Sequence, residues 1–312
     1  MTHIFATSFV MLIGVVAGAV EFAEDAAKST PEQRLAFAKQ AAAAYRFRVE
    51  GRGRPAVRLL PEPLLRWNNH VVREDDGMLF LWTEGDTGRP LATAQFFVVG
   101  DDWHHEFQSL SLSPFEARFE QPPADNWSWR PTGPGLEFVA ADNIDAPSSS
   151  AAGRLRQMKS IAERFTAAVD QNDAFQKPEQ LRLLTTPVYR YSAREHQILD
   201  GTVFAFAQGT NPEVLILVEA FGSEPAWRYG FARMSSFNLR VRRGAQTVWE
   251  RQRATVPTPS PALPYFFRWR AQADQSAEIK LPATGRQRSC HPFVPCDTLT
   301  NDGKRKRFAR GG

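Results

Sequence analysis

Shifted by 124 residues, this chain lies on itself. The stretch "PLLRWNNHVVREDDGMLFLWTEG" falls on "PVYRYSAREHQILDGTVFAFAQG" without a gap. Eleven of the 49 pairs between Pro63/Pro187 and Ser111/Ser235 are identical, among them Arg66/Arg190, Asp76/Asp200, Gly77/Gly201, Trp103/Trp227 and Phe107/Phe231. Others exchange one large apolar side chain for another, as in Trp67/Tyr191, Trp82/Phe206 and Leu110/Met234. A duplication constrains a fold more than a motif does, because what one copy forms the other must form too.

The flanks follow the same rule. "RLAFAKQAAAAY" (Arg34–Tyr45) meets "RLRQMKSIAERF" (Arg154–Phe165), and both show helical spacing of their apolar residues. Thr30, Pro31 and Gln33 supply a capping box and a helix-opening proline. Runs such as "GMLFLWTEG", "LATAQFFVV", "TVFAFAQG" and "EVLILVEAF" read as strands joined by short turns, hence mostly antiparallel sheet. The expected fold class is α+β: two tandem related units, each a helix packed on a mostly antiparallel sheet. Residues 30–147 form the first unit and 148–275 the second, with "APSSSAAG" (Ala146–Gly153) as linker.

The 312 residues carry a formal charge of +4. Residues 286–312 hold seven Lys or Arg against two Asp, which exceeds the whole excess. A basic footprint on a tail does not suit specific nucleic-acid binding, which needs it on the folded domain; residues 276–312 are expected to be a basic, disordered tail. At the other end, Ile4–Val20 is uncharged and "AGA" (Ala17–Ala19) has the small-x-small pattern of a cleavage site. Residues 1–23 are therefore expected to be a signal peptide cut near 19–23, and the protein exported, to the periplasm or beyond. No later apolar run is long enough to span a bilayer, so no membrane span is expected in the mature chain. A cell-envelope component fits this layout. Both cysteines, Cys290 and Cys296, lie in the tail; they can close a disulfide, whereas zinc lacks a fourth ligand beside His291.

"LLRWNN", "FLWTEGDTGRP", "HEFQSL", "RLRQMKSIAERF", "LRLLTTPVYRY", "DGTVFAFAQGTNPEVLILVEA" and "WRYGFARMSS" resemble a family of secreted, signal-peptide-bearing proteins of planctomycete-type bacteria. The likeness runs from about Leu64 to Val241, and the tail departs from it. It implies export and the two-part layout. No activity is known for that family, so it implies no cofactor and no catalytic residue.

"GDDWHHEFQSL" (Gly100–Leu110) concentrates the polar chemistry. On a strand, Trp103, His105 and Phe107 share one face, while His104, Glu106 and Gln108 share the other. The counterparts Trp227, Tyr229 and Phe231 are all aromatic, which makes His105 a core histidine with one hydrogen-bond partner. His104 and Glu106 then read as a solvated strand face. Alternatively they are a metal-ligand or base–carboxylate pair, with His70, Asp101, Asp102 or His196 supplied by loops. The H-E-x-x-H pattern fails at Ser109.

Arg66…Asp76 and Arg190…Asp200 recur at one spacing, and a structural bidentate ion pair beside an Asp-Gly turn is the simpler reading of each. Trp103 and Trp227 read as core. Trp127, without an aromatic counterpart and opposite in alternation to Trp129, is a candidate sugar-stacking platform. Hydrolase elbows and phosphate-binding glycine loops are absent. The expectation is an exported, non-catalytic binding or scaffold protein with its site in the cleft between the units. The alternatives are a metal-dependent hydrolase using His104 and Glu106, the only reading that requires a divalent metal or any other cofactor, and a carbohydrate binder acting through Trp127.

Overall fold

The computed structural model describes residues 30–50, 56–69, 74–99, 102–120, 127–171, 175 and 177–269. The expected signal peptide and the basic tail with Cys290 and Cys296 lie outside the described residues. The first half runs α1 (Pro31–Ala44), β1 (Tyr45–Val49), β2 (Val57–Leu59), β3 (Leu65–Asn69), β4 (Glu74–Glu84), β5 (Arg89–Val99), β6 (Asp102–Ser109), β7 (Phe115–Phe119), β8 (Ser128–Trp129) and β9 (Val139–Ala140). The second half repeats the order: α2 (Ala151–Ala162), β10 (Thr166–Asp170), β11 (Glu179–Leu183), β12 (Tyr189–Ala193), β13 (Ile198–Gln208), β14 (Asn211–Phe221), β15 (Ala226–Arg233), β16 (Asn238–Arg243), β17 (Gln246–Arg251) and β18 (Tyr265–Trp269).

Local chemistry sets the helix starts. The Thr30 hydroxyl accepts from the Gln33 amide at 3.3 Å, and the Thr30 amide donates to Gln33 Oε1 at 2.7 Å. Ser150 caps α2 by accepting from the Gly153 amide at 3.0 Å. That helix begins at Ala151, so the last three residues of the expected linker are helical.

Each half builds an antiparallel meander, β4-β5-β6 and β13-β14-β15. A smaller set of strands lies over each, β1-β7-β8 and β10-β16-β17. In the second half β11 pairs with both β10 and β13, so its strands merge into one nine-stranded sheet; in the first half β2 pairs with β4 alone. The last strand of each half then crosses over. β9 pairs with β15, and β18 pairs with β6, both antiparallel. The halves thus exchange their closing strands.

Three apolar clusters follow from this layering. Met78, Phe80 and Trp82 on one face of β4 pack with Ala38 and Ala42 of α1 and with Phe115 and Trp129. Phe204, Phe206, Met158 and Ile161 build the equivalent cluster of the second half. On the other face of β4, Leu79 and Leu81 meet Val203, Ala205, Leu215 and Leu217 across the junction of the halves. Burial on both faces explains why "GMLFLW" and "VLILV" are continuous apolar runs rather than alternating ones.

The α+β expectation is therefore corrected. Among the described residues strands take 52% and helices 15%, with only two α-helices. This is a mostly antiparallel β structure, and the described residues form one compact unit rather than two helix-on-sheet units. Each half shows one segment of helical periodicity, α1 and α2, beside eight or more strands. The shared apolar layer and the exchanged strands, which join the halves, arise only from tertiary packing.

Asp76-Gly77 and Asp200-Gly201 were expected to form turns. Both pairs lie inside strands, β4 and β13, where the ladder slips register against its neighbours. Glycine is required for a different reason. A Cβ on Gly77 would come within 2.2 Å of the Trp67 ring, and one on Gly201 within 2.6 Å of the Tyr191 ring. Trp67 and Tyr191 are repeat counterparts, so each half lays an aromatic ring across its own glycine.

Candidate functional site

Strand β6 carries most of the "GDDWHHEFQSL" stretch, with both faces buried. Trp103, His105 and Phe107 face the first-half core. His105 is wholly buried and its Nδ1 lies 2.6 Å from the Tyr45 hydroxyl, with the ring 4.1 Å from that of Phe96. Burial, helped by Arg268 and His104, holds the imidazole well below its ordinary pKa, so it is neutral.

The other face is not solvated, as it was expected to be. His104, Glu106 and Gln108 are each at most 4% exposed. The His104 ring sits 5.3 Å from Phe97 and 5.7 Å from Phe267. Glu106 accepts from the Tyr265 hydroxyl and, at 3.3 Å, from Gln95 Nε2. The cover comes from the second half's closing strand and the segment before it, with Ala254 and Val256 packed on Phe97, Tyr265 and Phe267. Residues some 160 positions away in the chain supply it, which local alternation cannot show.

These contacts define what His104 and Glu106 do. Among the described residues, no three His, Cys, Asp or Glu side chains come together to hold a metal ion. Of the groups that loops were expected to add, His70 and Asp101 lie outside the described residues. His196 sits elsewhere, with Nε2 3.3 Å from Glu84 Oε2. Burial pushes Glu106 up to about 8, assisted by the nearby charge of Glu213 and opposed by the Tyr265 hydrogen bond and by Arg233. Glu213 is raised to about 7, again chiefly by burial.

The repeated ion pairs have one geometry. Arg190 Nε and Nη2 reach the two oxygens of Asp200 at 2.9 and 2.6 Å, while a second Nη2 bond holds the Ala151 carbonyl at 2.7 Å. Arg154 of α2 adds a third nitrogen to Asp200 at 2.8 Å. In the first half Arg66 grips Asp76 and the Pro31 carbonyl, and Arg34 of α1 joins Asp76 at 3.0 Å. Each carboxylate ties the helix start of its own half to that half's meander. The helix arginines were not singled out from sequence, although Arg34/Arg154 were already aligned at the head of the two helical segments.

Trp103 and Trp227 are both buried, and Trp227 Nε1 donates to the Asp145 carbonyl at 3.1 Å. Trp127 is not an open platform. It is half-buried, edge-on to Tyr45 at 5.0 Å and to Phe266 at 5.6 Å, with the Arg268 guanidinium 5.3 Å from its ring.

One cavity lies where the halves meet. It encloses about 290 Å³, and its wall takes Gln108 and Gly135 from the first half and Phe231, Arg233, Trp249, Arg251 and Tyr265 from the second. Pro134 and Ala232 add to these, and the proline-rich segment "ATVPTPSPALP" (Ala254–Pro264) supplies the rest. That segment is pinned to the first half: Trp129 Nε1 donates to the Leu263 carbonyl at 2.8 Å, and the Arg130 and Ser109 amides donate to the Pro261 and Pro264 carbonyls at 2.8 Å each. Arg233 stands in the wall with its guanidinium 4.5 Å from the Tyr265 ring, donating to the Ser235, Phe237 and Gln252 carbonyls at 2.8, 3.0 and 3.2 Å. Sequence reasoning placed a site between the halves but named none of these residues. The run of prolines entering β18 was the available signal.

Comparison with known proteins adds no likeness: no family model, no curated protein and no solved structure matches this chain. Among the described residues no helix is long and apolar enough to cross a membrane.

Proposed function

We propose that this is an exported binding protein without catalytic machinery, whose ligand occupies the cavity at the junction of the halves. The observation that carries the reading is the cavity itself, walled by both halves and close in size to the lower end of small-molecule sites, roughly 300–1,000 Å³. The described residues lining it include no Asp, Glu, His or Cys, so they offer hydrogen bonds, aromatic faces and positive charge rather than an acid–base pair. Export is supported by the uncharged stretch Ile4–Val20 with its "AGA" and by the likeness to a secreted family. His104 and Glu106 are engaged inside the fold and Trp127 in an aromatic cluster, which removes the support for the hydrolase and sugar-stacking alternatives.

The test is a thermal-shift screen of the mature chain against small-molecule ligands, repeated with Thr255→Trp. Thr255 is an exposed residue of the cavity wall, so the larger side chain obstructs the cavity without touching the core. Ligands of this site should raise the melting temperature of the native chain and lose that effect in the variant. Stabilising compounds indifferent to Thr255→Trp would place binding elsewhere and overturn the reading.

A further inference from the structure

We propose that the cavity takes a small organic anion, a carboxylate on an aromatic or branched aliphatic body, with the carboxylate turned to Arg251 and the body against Trp249, Tyr265 and Leu263. This rests on the cavity being the binding site. Two arginines line it, and no described lining residue is acidic. The nearest acid in sequence, Glu250, is already taken by Arg240 at 2.7 Å. Arg251 is exposed, with its guanidinium 4.9 Å from the Trp249 ring and its Nη1 donating to the Glu250 carbonyl at 2.9 Å.

Arg233 supplies a fixed positive field from within the wall. Its three hydrogen bonds go to neutral carbonyls, which orient the guanidinium without cancelling its charge. Burial pushes Glu106, the carboxyl behind Tyr265, up to about 8 against the pull of the Arg233 charge, so at neutral pH it offsets that charge only in part. In a partly dehydrated cavity two arginines with no ion-paired carboxylate in the wall favour an anionic guest. The rest of the wall sets the guest's body: aromatic and proline surfaces accept a flat or branched apolar group, and about 290 Å³ limits its size.

Isothermal titration of the full mature chain decides the matter, with benzoate and 4-methylpentanoate as probes and their neutral amides, benzamide and 4-methylpentanamide, as controls. At least one acid should bind at least tenfold more tightly than its amide. Arg251→Gln should bring that acid down to the amide's level, and Thr255→Trp should abolish both. An acid and amide that bind alike, or an acid unaffected by Arg251→Gln, would overturn the anion assignment. If Thr255→Trp still abolished that binding, the cavity would remain the site. Absence of any acid binding at millimolar concentration would also overturn the assignment, while the broader screen would judge the cavity separately.

Discussion

Three guanidinium nitrogens converge on Asp200, two from Arg190 and one from Arg154, and the carboxylate is only 5% exposed. Asp200→Ala removes the anion and leaves two cations facing each other at the start of α2. A buried pair broken on one side costs about 3–5 kcal/mol; with Arg190 a third exposed, about 2–3 kcal/mol is expected here. Urea unfolding should show this, with a fall in melting temperature of about 5–10 °C; an unmoved midpoint would deny the ion pairs any structural weight. The Arg–Asp half of this arrangement was legible as an identical spacing in both repeats. Its third member was not, because a helix residue reaches the carboxylate only after α2 has docked. Glu106 shows the complementary limit: alternation separated it correctly from His105, yet its burial depends on β18. Its raised pKa has a definite consequence. Between the ordinary carboxyl value of 4.5 and about 8 the folded state keeps a proton that the unfolded state has lost, so stability falls as pH rises through that window and levels off above it. Glu106→Gln cannot lose a proton there. Melting curves should show the variant gaining on the native chain from pH 5 to pH 8, with a shallower slope from Glu213 persisting; parallel curves would refute the assignment.

At the level of elements, β9 and β18 bind the halves together. β18 gives β6 a five-residue partner, from Tyr265↔Gln108 to Trp269↔His104, and brings the Tyr265 hydroxyl to Glu106. A chain ended at Arg253 loses that partner, takes the Tyr265 hydroxyl from the buried Glu106, and exposes a strand edge. Hydrogen exchange on such a chain should show the β6 amides losing protection while β13 and β14, paired within the second half, keep theirs. Equal protection throughout would mean that β18 is dispensable. The strands themselves were readable from their apolar runs and turn residues. Their partners were not, since a strand's sequence marks its extended shape but not which edge it completes.

For the molecule as a whole, the gapless repeat revealed the number of halves and the order of elements within each. It could not reveal that Leu79, Leu81, Val203 and Leu215 share one apolar layer, and without that layer two separate units were the natural reading. The site suffers from the same gap, because the cavity exists only where the second half's proline-rich segment is tied to Ser109, Trp129 and Arg130 of the first. The crossed closing strands also impose an order in time. β6 leaves the ribosome some 160 residues ahead of Tyr265, which at roughly 5–20 residues per second is about 10–30 s. Throughout that interval the first half carries a strand edge whose proper partner has not yet been synthesised, open to the β6 of any neighbouring nascent chain. Whatever keeps newly made copies apart must act in that window, before the protein is complete.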